Sequence, residues 1–373
     1  MCLSILISKE FSLNSRIWIT LFFCVSCLIF LGMALFTYCY DPYSYYRIND
    51  EQLKVSSLPL SNPGIVRNAD YDTVIVGSSV MQNFDPKVVD EVTGYKTVKV
   101  SLSDLSQNQR KVIFELILRE KKAERIFYGL DLFSLSPSHR EVSGSLPDYL
   151  YNQSCLDDIK YVLGYENWFR FTPVLVGLQL ASGLGFDVPQ EKMAVSLDQI
   201  GNWDDGVVFS KDLLRSQYLK NAQSFSFSKA VTSVSREAMF NRADDLLRDL
   251  KNASTETEIT VFFPPYSALY WNMLKERGLY DSYVDVKKHI CYQLQLCEKV
   301  EVLDYQIMPL ILNLDYYKDE MHYSKEVNDI MSSGFAEKGW LVRRNDIDTN
   351  IDELNDLILQ FELENRDWLR VVD

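Results

Sequence analysis

The sequence predicts an α/β fold: a doubly wound parallel sheet of about five strands, with an inserted helical cap and an N-terminal transmembrane helix. Three observations carry this. Short, largely apolar runs recur at Thr73 to Val76, Thr97 to Val100, Arg125 to Leu130, Ile259 to Phe263 and Val300 to Leu303, as in parallel strands buried on both faces. Stretches of helical period separate them: Gln107 to Lys121, Ala238 to Lys251 and Leu274 to Leu296. Polar and turn-forming residues follow the runs directly, at Ser79, Ser101 to Asp104, Asp131 and Pro264-Pro265, where such sheets collect their ligands.

Taken in order, residues 1–16 form a short N-terminal segment expected in the cytoplasm. Ile17 to Tyr40 contains no charged residue and is long enough to cross a bilayer as a helix. Trp18 at one end and Tyr38, Tyr40, Tyr43, Tyr45 and Tyr46 at the other suit the aromatic belts of the two interfaces. Phe36-Thr37-Tyr38 offers no small-residue cleavage site, so the reading is an uncleaved single-pass anchor in the cell membrane, with the bulk of the chain outside the cytoplasm. The basic residues Lys9 and Arg16 before the span are balanced by Arg47 and Lys54 after it, so the orientation rests on the shortness of the first segment.

Residues 41–70, with Pro59, Pro63 and Gly64, read as a stalk. The sheet domain is expected over 71–345, with an insert at 132–235 that is too long for one crossover. The aromatics Tyr149, Tyr151, Trp168, Phe169 and Phe171 in this insert are expected in its core, with a sugar-stacking surface as the alternative. From 346 to 373 the chain is acidic, and Ile351, Leu354, Ile358 and Phe361 fall at helical spacing, predicting a terminal helix packed on the domain.

Composition excludes several classes. Hydrophobic residues make up 47% of the chain, enough for a sizeable core, and the net charge of -14 without a dense basic run excludes nucleic acid as a partner. Of seven cysteines, Cys2, Cys24, Cys27 and Cys39 lie in the anchor region, which leaves Cys155, Cys291 and Cys297. That number gives no disulfide framework, and Cys291 with Cys297 reads either as a pair or as buried thiols. There are three histidines, and His139 and His289 have no ligand-type partner nearby in sequence, so no metal site and no cofactor are expected.

Two short motifs carry the chemistry. Gly77-Ser78-Ser79 places a serine just past the first predicted strand, and Asp319-Glu320-Met321-His322 places an acid three residues before an imidazole. A serine that gives its proton to an imidazole, itself held in one tautomer by a carboxylate, is a nucleophile system. Ser79 as nucleophile, His322 as general base and Asp319 as the group orienting it are the candidate catalytic residues. The bland alternatives are a turn serine capping a helix and a polar residue ahead of the helix through Val327, Ile330 and Phe335.

The run Asp72-Thr73-Val74-Ile75-Val76-Gly77-Ser78-Ser79 resembles the first block of the SGNH (GDSL-type) hydrolase superfamily, and Asp319-x-x-His322 resembles its last. With the N-terminal anchor, the chain is most similar to the extracytoplasmic branch that includes teichoic-acid D-alanylation and alginate O-acetylation proteins. The resemblance covers roughly residues 70–135 and 255–340. It implies an esterase or O-acyltransferase acting on a cell-surface polysaccharide or its precursor, with an acylated glycan or acyl donor as substrate and a membrane acyltransferase as partner. The chain departs from that pattern twice: Asp104 stands where the second block supplies an oxyanion-binding glycine, and Asp131 where the third supplies an asparagine. An ionised carboxylate cannot donate a hydrogen bond, so these departures also allow a non-catalytic binding or assembly protein of the same fold.

Overall fold

The computed structural model describes residues 2–48, 57–136, 146–186, 196–224 and 232–369. These belong to two compact units: residues 1–55 with 147–195, and residues 56–146 with 196–373. His139 lies outside the described residues.

The larger unit is the predicted α/β domain. Its strands are β1 (Thr73–Gly77), β2 (Thr97–Ser101), β3 (Arg125–Gly129), β4 (Glu258–Phe263) and β5 (Val300–Asp304), each within two residues of its apolar run. All pair in parallel in the order β2-β1-β3-β4-β5, so every strand ends at one edge of the sheet. The order reverses between β1 and β3, the crevice where ligands bind in doubly wound sheets.

Local chemistry accounts for the helices. Gln107–Glu120 starts at a capping box in which Ser106 and Gln109 satisfy each other's backbone amides, and it buries Ile113, Leu116 and Ile117. The single helix expected from Leu274 to Leu296 is two, Ala268–Glu276 and Tyr280–Leu294. Gly278 ends the first with a φ of +64°: its amide bonds Lys275 O and the next amide bonds Leu274 O, a left-handed stop that leaves no carbonyl for the helix to continue on. The terminal helix spans Ile347–Glu364 and buries Ile351, Leu354, Ile358 and Phe361 as its spacing predicts.

Residues 41–70 are not a uniform stalk. Leu58–Asn68 is a helix whose middle is buried, and Asn62 Nδ2 donates to Ser101 O at the end of β2 (3.0 Å). Pro59 reads as a breaker in sequence, yet a proline in the first turn removes only an amide that has no partner there. The insert is likewise divided: residues 147–195 belong to the unit of the apolar helix, and 196 onward to the sheet unit. Cys291 and Cys297 are free, and burial pushes the Cys291 thiol up to about 12.

In the smaller unit, helix Cys2–Tyr40 includes an apolar stretch, Ser15–Tyr40, that is long and apolar enough to cross a membrane. Just past it, Asp41 ties a knot: its carboxylate accepts from the amides of Tyr45, Tyr46 and Arg47 and from the Tyr161 hydroxyl (2.8 Å). Tyr43, Tyr151, Tyr161 and Phe171 fill this unit's core, so Tyr151 and Phe171 are core aromatics as expected, whereas Tyr149 and Trp168 are half-buried and Phe169, at 70% exposed, is not a core residue.

The sheet unit buries an ion pair between helix Tyr280–Leu294 and the end of β5, Lys287 Nζ to Asp304 Oδ2 at 2.7 Å, with side chains 2% and 1% exposed. Removing one partner of such a pair strands the other charge. Lys287→Met should therefore destabilise the fold by about 3 kcal/mol or more, and Lys287→Met with Asp304→Leu should recover much of the loss. Denaturant unfolding of the full chain in detergent measures both.

Candidate active site

Two glycines make room for the serine turn. An added Cβ on Gly77, at the end of β1, would stand 2.4 Å from Met81 Cγ, and one on Gly129, at the end of β3, 2.2 Å from Met81 Sδ. Met81 therefore lies flat over both strand ends, and the 3-10 turn Ser79–Met81 folds back across the sheet edge. Ser79 begins that turn, half-buried, and its amide meets no acceptor among the described residues.

Asp319 and His322 share a tight loop between β5 and helix Lys325–Glu337. Tyr317 bridges to Tyr323, Lys318 N donates to His322 O (3.0 Å), and Ser324 N donates to Tyr316 O (2.8 Å), which closes the loop on itself. The Pro264-Pro265 segment after β4 holds it in place: Tyr317 OH donates to Pro265 O (2.8 Å) and Ser267 Oγ to Glu320 O (2.7 Å).

These elements bring the three predicted residues together. Ser79 Oγ lies 2.7 Å from His322 Nε2, and His322 Nδ1 lies 2.9 Å from both Asp319 oxygens. Asp319 also accepts from the backbone amides of His322 (2.8 Å) and Met321 (3.0 Å). Burial pushes the Asp319 carboxyl up, but the imidazole hydrogen bond and charge and the two amides outweigh it, so its pKa falls below the usual aspartate value and it stays ionised at neutral pH. With Nδ1–H given to the carboxylate, Nε2 carries the lone pair that faces the serine hydroxyl.

The two departures from the SGNH pattern differ in kind. Asp104 is exposed and takes a φ of +50°, the left-handed conformation a glycine adopts with ease. Asp131 accepts three hydrogen bonds: Ser78 Oγ donates to Oδ2 (2.9 Å), while the Tyr266 hydroxyl and the Phe133 amide donate to Oδ1. Burial, then the Asp131 charge, pushes the Tyr266 hydroxyl well above its usual value, so it remains a donor.

Three further residues shape the site without a motif to announce them. Trp203 Nε1 donates to Ser79 O (2.9 Å), and its ring meets the His322 ring edge to face at 5.3 Å. Lys318 Nζ lies 3.6 Å from the centre of the indole. Lys99 on β2, 4% exposed, donates to Gln82 O and Phe84 O (2.9 Å) just past the serine turn, and to Asn202 Oδ1 (2.6 Å) beside Trp203. Asn83 Oδ1 accepts from Trp203 N (3.0 Å), so the two loops are stitched together along their length. A signal for Lys99 exists in retrospect: it is a lysine inside an otherwise apolar strand run.

His289, which has no partner close in sequence, gains one in space, with Nε2 2.7 Å from Asp244 Oδ1. No group of three or more acidic, histidine or cysteine side chains suited to a metal ion occurs among the described residues.

No family model matches the chain, and no curated protein matches it. Among solved structures, it is similar to a chain provisionally described as a platelet activating factor from Streptococcus pneumonia, at 8% identity and a TM-score of 0.37. That similarity covers 75% of this chain and 89% of the other, and at this level it identifies neither a family nor an activity.

Burial lowers the Lys99 pKa from the ordinary 10.5 to about 7, against the opposing charges of Asp85, Asp198 and Asp204 and with Lys325 adding to the fall. A folded-state value below the unfolded one means that the penalty on the charged form is complete below about 7 and is relieved as pH rises toward 10.5. The unfolding free energy of the wild type should thus gain on that of Lys99→Met by about 1 kcal/mol per pH unit across that window. Denaturant titrations at several pH values measure the slope, and a constant difference would contradict it.

Proposed function

We propose that this protein is a membrane-anchored, SGNH-like serine esterase or O-acyltransferase acting on an acylated cell-surface polysaccharide or its precursor. The observation that carries the reading is the continuous relay Ser79 Oγ, His322 Nε2, His322 Nδ1, Asp319, with every link at 2.7 to 2.9 Å. His322 takes the serine proton as Ser79 attacks an acyl carbonyl, and the imidazolium formed is stabilised by the ionised Asp319. The unpaired amide of Ser79 is the donor available to the developing oxyanion. Collapse of the tetrahedral intermediate expels the alcohol, which leaves with the proton from His322. Water or a sugar hydroxyl then attacks the acyl-serine by the reverse sequence, so hydrolysis and transfer share one intermediate.

Trp203 and Phe209, with ring centres 6.4 Å apart, give the site an apolar wall on which a sugar ring or an acyl chain packs. The apolar Ser15–Tyr40 helix supports residence in the membrane, and the extracytoplasmic position of the domain belongs to the same proposal. A membrane acyltransferase that hands over the acyl group is the partner that fits it.

One observation favours a second reading, a non-catalytic binding or assembly protein for polysaccharide biosynthesis or export. The Asp131 carboxylate, one hydrogen bond from Ser78, sets a negative charge near the place where an oxyanion would form.

A fluorophosphonate probe distinguishes the two. On the enzymatic reading it labels Ser79, labelling vanishes in Ser79→Ala, and its rate drops about a hundredfold or more in His322→Ala. Asp319→Ala should lose less, because orientation rather than proton transfer is removed. Equal behaviour of wild type and Ser79→Ala toward the probe and toward acetyl esters would favour the binding protein. Protease applied to the outer face of intact membranes should digest the domain, and full protection would reverse the proposed topology.

A further inference from the structure

Helix Thr172–Gly183, in the same compact unit as the apolar anchor helix, does not behave like a helix made for water. Residues 171–186 contain no charged side chain. Only Leu175 of the helix is buried, while Val174 is 51% exposed, Leu180 62%, and Leu184 and Phe186 just beyond it 76% and 67%. The helix carries no charge, its polar side chains are Thr172, Gln179 and Ser182, and a helix so largely apolar belongs in a protein core or in lipid; this one is outside the core. At 12 residues it reaches about 18 Å, too short to cross a hydrocarbon layer of about 30 Å.

The anchor fixes where this helix starts. Thr37 Oγ1, in the last turn of the apolar stretch, donates to Val162 O (2.9 Å), and the Phe36 ring lies 5.6 Å from Trp168. Trp168 Nε1 donates to the same Val162 carbonyl (3.0 Å), leaving an indole with one polar edge and one apolar body, the type of side chain that settles at a membrane interface. From Glu166 the chain runs through one π-helical turn directly into Thr172, so the apolar helix departs from the point where the anchor ends. Phe169 in that turn is 70% exposed.

We infer that Thr172–Gly183 lies in the membrane interface, its side chains entering the boundary between lipid headgroups and acyl chains on the side where Tyr40 emerges. The chain then holds the bilayer twice, once by crossing it and once by lying in it. The partner is the lipid surface itself: the patch has no charge with which to select a protein partner, and it is continuous with a helix already suited to lipid. This rests on the reading of Ser15–Tyr40 as a span.

The test uses the full chain in nanodiscs of phosphatidylcholine and phosphatidylglycerol, with p-benzoylphenylalanine placed at Phe22 in one sample and at Leu180 in another. Irradiation followed by mass spectrometry should give lipid adducts at both positions, with the yield at 180 within about threefold of that at 22. An adduct at 22 with none at 180 overturns the inference and leaves the span intact. A covalent dimer at 180 in place of lipid assigns the face to a second copy of the chain, and absence of an adduct at 22 removes the span on which the inference stands. As a second reading of the same contact, Leu180→Glu with Leu184→Glu should raise amide hydrogen exchange over residues 174–184 at least tenfold in nanodiscs. Unchanged exchange would also overturn it.

Discussion

The placement of Ser79 depends on a contact that contains no polar atom. Met81 occupies the space left by the missing side chains of Gly77 and Gly129, and so the turn between them lies on the sheet edge instead of rising away from it. Close-packed interiors do not absorb an extra carbon at 2.2 to 2.4 Å without moving something, and here the nearest atoms to move are those of the Met81 side chain, which closes the serine turn. The hydrogen bonds that follow, from Lys99 to Gln82 and Phe84 and from Trp203 to Ser79 and Asn83, secure a position that packing has already set.

Parts of this arrangement are legible in the sequence because their causes are local. Parallel strands covered on both faces must be apolar at nearly every position, so Thr73–Gly77 and Glu258–Phe263 stand out as runs. An acid three residues before a histidine is also a local fact, and one turn of loop suffices to bring them together. Trp203 and Lys318 were not legible as site residues, since nothing in their neighbours says which loop or strand they will meet; Lys99 stands out as a lysine in an apolar run, but the run does not say what it will meet. The same reason hid Asp244 behind His289, 45 residues apart. The fusion of two helices into one over 274–296 had a different cause: the apolar period continues through the break, and only the left-handed Gly278 interrupts the backbone.

Charge is distributed unevenly around the dyad. Asp319 sits behind the imidazole with four short contacts, and Asp131 accepts hydrogen bonds from Ser78, Tyr266 and Phe133. A carboxylate so paired is expensive to displace and contributes to holding β3's end and the Tyr266 segment together. Lys318, four residues before His322, rests on the Trp203 indole face.

The loop from Tyr317 to Tyr323 closes on itself through its own backbone, and within it Asp319 orients His322 through both side chain and amides. The orientation of acid toward base is therefore solved inside seven consecutive residues, before any distant part of the chain is consulted. What remains for the tertiary fold is to seat this loop against the Ser79 turn, and the bonds from Tyr317 to Pro265 and from Ser267 to Glu320 hold it there. Acid and imidazole therefore move as one piece, and a shift of the whole loop would open or close the contact to Ser79 without disturbing the bonds between Asp319 and His322.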